Sequence, residues 1–149
     1  MKALCVVSCG KQKIWDKYPN LGPQKARDVY TGTFSRKCQE YAKTFYPTSW
    51  CIFSAKYGFV FPDDLIPGPY NVTVYKKETN PLSAKQLAKQ THQLHLDECD
   101  RIIVLGGKLY VKMIEQTFAG KEIVTPLAGA RGIGYMMKKM NEDLSQAGK

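Results

Sequence analysis

The run Ile102-Ile103-Val104-Leu105-Gly106-Gly107-Lys108-Leu109-Tyr110 decides the fold class. Four consecutive aliphatic residues, with no polar residue between them, suit a strand covered on both faces, as in a parallel sheet. Two glycines break that strand. Leu109, Met113, Ile114 and Phe118 then recur at helical spacing until Gly120. Strand, break and helix in immediate succession make half of a βαβ unit.

The same grammar recurs on either side. Ala3-Leu4-Cys5-Val6-Val7 and Trp50-Cys51-Ile52-Phe53 are continuous apolar runs, and Glu122-Ile123-Val124-Thr125 is a shorter fourth. Phe34, Cys38, Tyr41 and Phe45 mark one face of a helix from about Thr33 to Phe45. Ser83 with Gln86 three residues on forms a capping box, continued by Leu87, Thr91 and Leu94. Ile133, Met136, Met137, Met140 and Leu144 mark a last helix, its methionines read as core filler. The order is β-α-β-α-β-α-β-α. It predicts one α/β domain over residues 1–149, with a four-stranded, mostly parallel sheet and right-handed crossovers. Two stretches stand outside this plan as long loops: Lys11 to Tyr30, and Phe59 to Asn80. Within the second, Asn71-Val72-Thr73-Val74-Tyr75 alternates like a short strand. Loops of this length in a small domain usually carry function.

Charge narrows the partners. Twenty-two Lys and Arg against thirteen Asp and Glu give a net +9, a surplus that favours polyanions and also serves plain solubility. Five cysteines are spread without a C-x-x-C pair, which predicts a reducing, cytoplasmic setting without a structural zinc or disulfide framework. The apolar N-terminal run is too short for a signal sequence or a membrane span, so no membrane association is expected. Neither a Walker A loop nor a G-x-G-x-x-G fingerprint occurs, which disfavours ATP hydrolysis and NAD chemistry; no cofactor and no metal is expected.

Ligands of open parallel sheets bind beyond the carboxyl ends of the strands. The four segments that follow the strands are therefore expected to share one site. They supply Ser8, Cys9, Gly10, Lys11 and Lys13; then Ser54, Lys56, Tyr57 and Gly58; then Gly106, Gly107 and Lys108; and last Pro126, Gly129, Arg131 and Gly132. Glycines admit close backbone approach, helix starts offer N–H groups to anions, and the cations suit phosphate. Trp15, Tyr18, Tyr30, Tyr57, Tyr70 and Tyr75 sit in or beside the long loops, where rings suit nucleobase stacking. Tyr57 and Tyr70 are assigned to the pocket, Tyr30 and Tyr75 to the core. Asp63 and Asp64 are the carboxylates available as a general base or to stabilise a cationic sugar. His92 and His95 are read as surface or packing residues. Cys9 is a possible nucleophile, although no His is placed in sequence to serve it.

Ser8-Cys9-Gly10-Lys11-Gln12-Lys13, Asp28 to Phe34, Trp50 to Gly58 and Pro69-Tyr70-Asn71-Val72-Thr73 resemble an uncharacterised bacterial and phage domain family, with Ser54-Ala55-Lys56-Tyr57-Gly58 as its most specific motif. That family is distantly similar to the uracil-DNA glycosylase superfamily and to the glycosylase-like domain of archaeosine synthase. Ile102 to Tyr110 resembles the superfamily's strand, glycine and helix start. Thr125-Pro126-Leu127-Ala128-Gly129-Ala130-Arg131-Gly132 resembles its Pro-Leu-x-x-x-Arg-Gly loop. The resemblance implies a three-layer α/β/α sandwich with its site at the carboxyl edge. It also implies a nucleic-acid-binding role for Pro126, Leu127, Arg131 and Gly132, with Leu127 as a wedge. The chain departs from the superfamily in its first loop, which has no acid or amide to position water, and before the Pro-Leu loop, where no histidine stands. It reads Tyr70-Asn71 where Tyr-Asp is expected of the smaller family.

The expected activity is an N-glycosidic-bond enzyme acting on a modified base in DNA or on a nucleotide. In it Lys11, Lys13, Lys56 and Arg131 hold phosphate, Tyr57 or Tyr70 stacks on the base, Asn71 reads its edge, and Asp63 or Asp64 assists catalysis. The alternatives are a non-catalytic binder of nucleic acid or a nucleotide signal, as used in phage–host conflict, and a transferase working through Cys9.

Overall fold

The computed structural model describes residues 2–147. Its sheet is built on β1 (Ala3–Ser8), flanked in parallel by β2 (Trp50–Ser54) on one side. β4 (Arg101–Leu105) pairs in parallel on the other side, and β5 (Glu122–Val124) lies outside it. These are the four strands expected from the apolar runs. A fifth was not expected: β3 (Gly58–Val60) folds back on β2 and pairs antiparallel, giving the order β3-β2-β1-β4-β5. The expectation of four strands is corrected to five. Gly58-Phe59-Val60 is too short to show a period, so nothing in the sequence marks it as a strand.

Alternation along the strands separates two cores. Cys5, Val7, Ile52, Ile103 and Leu105 point to one face, where α1 (Thr33–Phe45) and α4 (Ile133–Ala147) pack through Cys38, Ala42 and Met140. Leu4, Val6, Cys51, Phe53, Ile102 and Val104 point to the other. There Leu87 of α2 (Ala84–Gln93) and Ile114 of α3 (Lys108–Thr117) cover them. Both faces are dry, which is why these strands read as unbroken apolar runs. Ser83 caps α2 through the Gln86 N–H, and the Gln86 side chain returns the bond to the Ser83 N–H.

The first long loop packs into the same core as α1 and α4. Trp15 is buried and donates its Nε1–H to the Gly22 carbonyl at 2.8 Å, and Ala26, Val29, Tyr30 and Ile66 pack in the same cluster. Lys13 bridges to Tyr30, and Thr31 N–H donates to the Gln12 carbonyl, so the start of the loop is tied to its end. Within the second loop, Leu65–Ile66 pairs antiparallel with Gln24–Lys25. The short strand expected at Asn71–Tyr75 does not form; that segment is irregular and closes one side of a cleft. Among the described residues no helix is long and apolar enough to cross a membrane.

Candidate functional site

The Ser-Ala-Lys-Tyr-Gly segment is a hairpin turn rather than a strand-to-helix break. Ser54, fully buried at the end of β2, accepts from the N–H groups of Lys56 (3.3 Å) and Tyr57 (3.2 Å). Gly58 turns the chain with φ +75°, a left-handed conformation that disfavours any residue with a Cβ. Gln90 of α2 then clamps the turn, accepting from Phe59 N–H at 2.8 Å and donating to the Tyr57 carbonyl at 2.9 Å. The motif therefore encodes a hairpin that presents Lys56 and Tyr57 beside the carboxyl edge.

From Ser54 a hydroxyl chain runs inward. Its Oγ lies 2.9 Å from the Tyr70 hydroxyl, which is hydrogen-bonded in turn to the Tyr30 hydroxyl. Burial, with Cys9 adding to it, pushes the Tyr70 phenol up to about 12, and burial raises Tyr30 well above its ordinary value. Both stay protonated at neutral pH and serve as hydrogen-bonding groups. Tyr57 meets the Tyr70 ring edge-on, with centroids 5.4 Å apart. The Lys13 ammonium lies 4.5 Å from the Tyr70 ring centroid, and the Lys56 ammonium lies 5.8 Å from it.

The strand order reverses between β1 and β4, and a cleft of about 740 Å³ opens just beyond that point. Ser8, Cys9, Gly10, Lys11 and Lys13 line it from the β1 side, as does Gly107 from the β4 side. The two strand ends approach closely: a Cβ on Gly106 would stand 3.0 Å from the Ser8 side chain. Gly10 admits α1, because a Cβ there would overlap Ser35 Oγ. Three helices start at the cleft. Gly32 and Gly107, the residues before α1 and α3, offer no capping side chain, and Gly132 precedes α4. First-turn N–H groups without side-chain caps form a ready anion cradle. Lys11 and Lys76 add exposed cations, and Asn71, Thr73 and Tyr75 form the opposite wall. Tyr110 lies beneath, with its hydroxyl 3.5 Å from Cys9 Sγ.

From the segments after β1 and β4, Ser8, Cys9, Gly10, Lys11, Lys13 and Gly107 line the cleft, together with Asn71 and Gly132, whereas Gly106 and Lys108 do not. Ser54, Lys56, Tyr57, Gly58 and Tyr70 do not line the cleft; they form the adjoining hydroxyl and cation network, joined to it through Lys13. Asp63 and Asp64 are not brought to the site. Asp63 is exposed and pairs with Arg27 (3.4 Å) and Lys25 (3.8 Å), and Asp64 accepts from Phe61 N–H within its own turn. Leu127 is buried in the core beneath α1 and α4, so it is not displayed as a wedge. Pro126 and Arg131 stand outside the cleft, Arg131 exposed beside Gly132. Tyr75, expected in the core, is 64% exposed at the cleft wall. Gln12, Thr33, Ser35, Lys76 and Tyr110 were missed. Only their tertiary placement marks them, apart from the position of Thr33 and Ser35 at a helix start. His92 and His95 are exposed, beside Asp97 and Glu98, as expected.

Fold and cleft together define an α/β domain with a cleft lined by helix starts and lysines at the switch point of a mostly parallel sheet. The chain belongs to a family of unknown function, DUF6884, whose model matches residues 4–142. It is 38% identical over 147 residues to the uncharacterised protein YfjM of Bacillus subtilis (strain 168), covering 98% of this chain and 97% of that protein.

Proposed function

We propose that the cleft receives a nucleoside phosphate, free or within DNA, and that the chain acts at its N-glycosidic bond. One observation carries the binding half: three helix starts and the cations Lys11 and Lys76 meet at one cleft whose wall includes an exposed tyrosine. Phosphate sits on the N–H groups between Gly32 and Gly107, Tyr75 stacks on the base, and the Asn71 amide reads the base edge. Four parallel strands with helices on both faces are consistent with the uracil-DNA glycosylase-like sandwich that the sequence resembles. As the base leaves with the bonding pair, the sugar gains positive charge, which the held phosphate offsets.

A second reading, binding without turnover, is favoured by a specific feature. Among the described residues that line the cleft, none is Asp, Glu or His. Water activation would then fall to Asn71 and the Ser8 and Thr73 hydroxyls, which orient water without taking its proton.

Two measurements separate these readings. Release of free base from oligonucleotides carrying varied modified bases reports turnover. Equilibrium binding of the same oligonucleotides across a salt series reports the cradle. Lys11→Ala and Lys76→Ala are each expected to weaken binding and to flatten the log–log salt slope by roughly 0.7–0.9. Binding without release leaves the non-catalytic reading. Salt-independent binding, or none to DNA or nucleotides, removes both.

A further inference from the structure

Lys13 differs from the other cations of the site. It is 9% exposed, yet it lines the cleft. Its ammonium donates to the Lys11 carbonyl at 3.2 Å and stands over the Tyr70 ring. Among the described residues, no carboxylate lies within ion-pairing distance of it. Asp16, three residues away, is occupied in accepting the Lys13 backbone N–H at 2.9 Å. Such a lysine is poorly placed for simple phosphate steering, which suits an exposed, well-hydrated ammonium. A desolvated lysine without a counter-charge is the arrangement that yields a neutral, nucleophilic amine. Burial lowers its proton affinity below the ordinary lysine value, against the opposing pull of Cys9 and Asp16.

We propose that Lys13 is an amine nucleophile that condenses with the aldehyde of a phosphorylated sugar held in the cleft. This rests on the nucleoside-phosphate reading, since base loss leaves a deoxyribose whose ring-opened form is such an aldehyde. The ammonium first gives one proton to solvent. Its lone pair then attacks the aldehyde carbon, a C–N bond forms, and the carbonyl π pair moves to oxygen, which takes up a proton. The nitrogen gives a proton to solvent to form the carbinolamine, whose hydroxyl takes up a second proton and leaves as water while the nitrogen lone pair closes a protonated C=N bond to Nζ. No oxidant or reductant is consumed. The helix starts hold the phosphate while the Tyr70 ring packs against the lysine.

Reductive trapping tests this on the full chain. Borohydride would be added to the protein with a single-stranded oligonucleotide carrying one abasic site. Cyanoborohydride would be added, in parallel, to the protein with glyceraldehyde 3-phosphate. Adducts would be mapped by peptide mass spectrometry and normalised to bound probe. The expected result is labelling concentrated at Lys13, abolished in Lys13→Arg, where a guanidinium keeps the charge but forms no imine. Mapping in the unaltered sequence decides the matter even if that variant fails to fold. Labelling spread over exposed lysines such as Lys11, Lys56 and Lys76, or no adduct at Lys13 with either probe, overturns the proposal. Labelling of Lys13 by the small phosphorylated aldehyde, with the oligonucleotide unbound, keeps the proposal and removes the DNA reading instead.

Discussion

Gly58→Ala is expected to destabilise the protein by about 3 kcal/mol, read as a Tm lowered by roughly 6–12 °C. Two costs combine. The alanine must hold φ +75°, which costs about 1–2 kcal/mol for a residue with a Cβ. Its Cβ would also overlap Gln90 Oε1 and displace the Gln90 side chain. Gln90 would then lose the bonds to Phe59 N–H and the Tyr57 carbonyl, each worth about 1 kcal/mol. Gln90→Ala isolates the second cost and should lower stability by about 1–2 kcal/mol. Because the two side chains meet, the double variant should lose less than the sum of the singles. Urea unfolding of all three proteins checks this. A Gly58→Ala protein that melts like its parent would show that neither the left-handed turn nor the clamp is needed.

Ser54→Ala is the second large effect, at about 2–3 kcal/mol. The serine is fully buried, and its oxygen satisfies the Lys56 and Tyr57 N–H groups and meets the Tyr70 hydroxyl. Alanine removes the partner and supplies none, and buried donors left unmet cost more than the bonds themselves contributed. Tyr70 keeps Tyr30, so the loss stops short of the whole chain of hydroxyls. The change should also reach the site, because Tyr70 underlies the Lys13 ammonium. Chemical denaturation should show a lower midpoint at an unchanged slope, and nucleotide affinity should fall with it. If Tyr30→Phe costs as much as Ser54→Ala, the turn donors contribute little and the stability resides in the tyrosine pair.

Much of the fold was written in local pattern. The runs at β1, β2, β4 and β5 were legible because both faces of each strand are covered, so burial leaves no alternation to confuse with a helix. The helix of Thr33–Phe45 matched its apolar spacing residue for residue, and the Ser83–Gln86 box marked the start of α2. β3 was not legible. Three residues are too few to carry a period, and their strand character comes from folding back on β2 through the Gly58 turn and from the Gln90 clamp, which reaches in from a distant helix.

The carboxyl-edge rule groups Ser8, Cys9, Gly10, Lys11, Lys13 and Gly107 from distant parts of the chain, and all six line the cleft. Strand direction alone decides which loops share an edge. The side-chain roles were decided elsewhere. Asp63 and Asp64 look like acids in a functional loop, but Arg27, Lys25 and a local turn occupy them. Leu127 belongs to a loop with a nucleic-acid resemblance, but it is buried in the hydrophobic core. Tyr75 and Tyr110 reach the cleft through loop and helix placement that no spacing encodes. By itself, then, the sequence determined the α/β class, the parallel core strands and the edge at which the loops after them meet. All of these follow from periodicity and chain direction. Only the tertiary structure decided which polar groups were already satisfied by neighbours, and so which cations and N–H groups remained free to face a ligand.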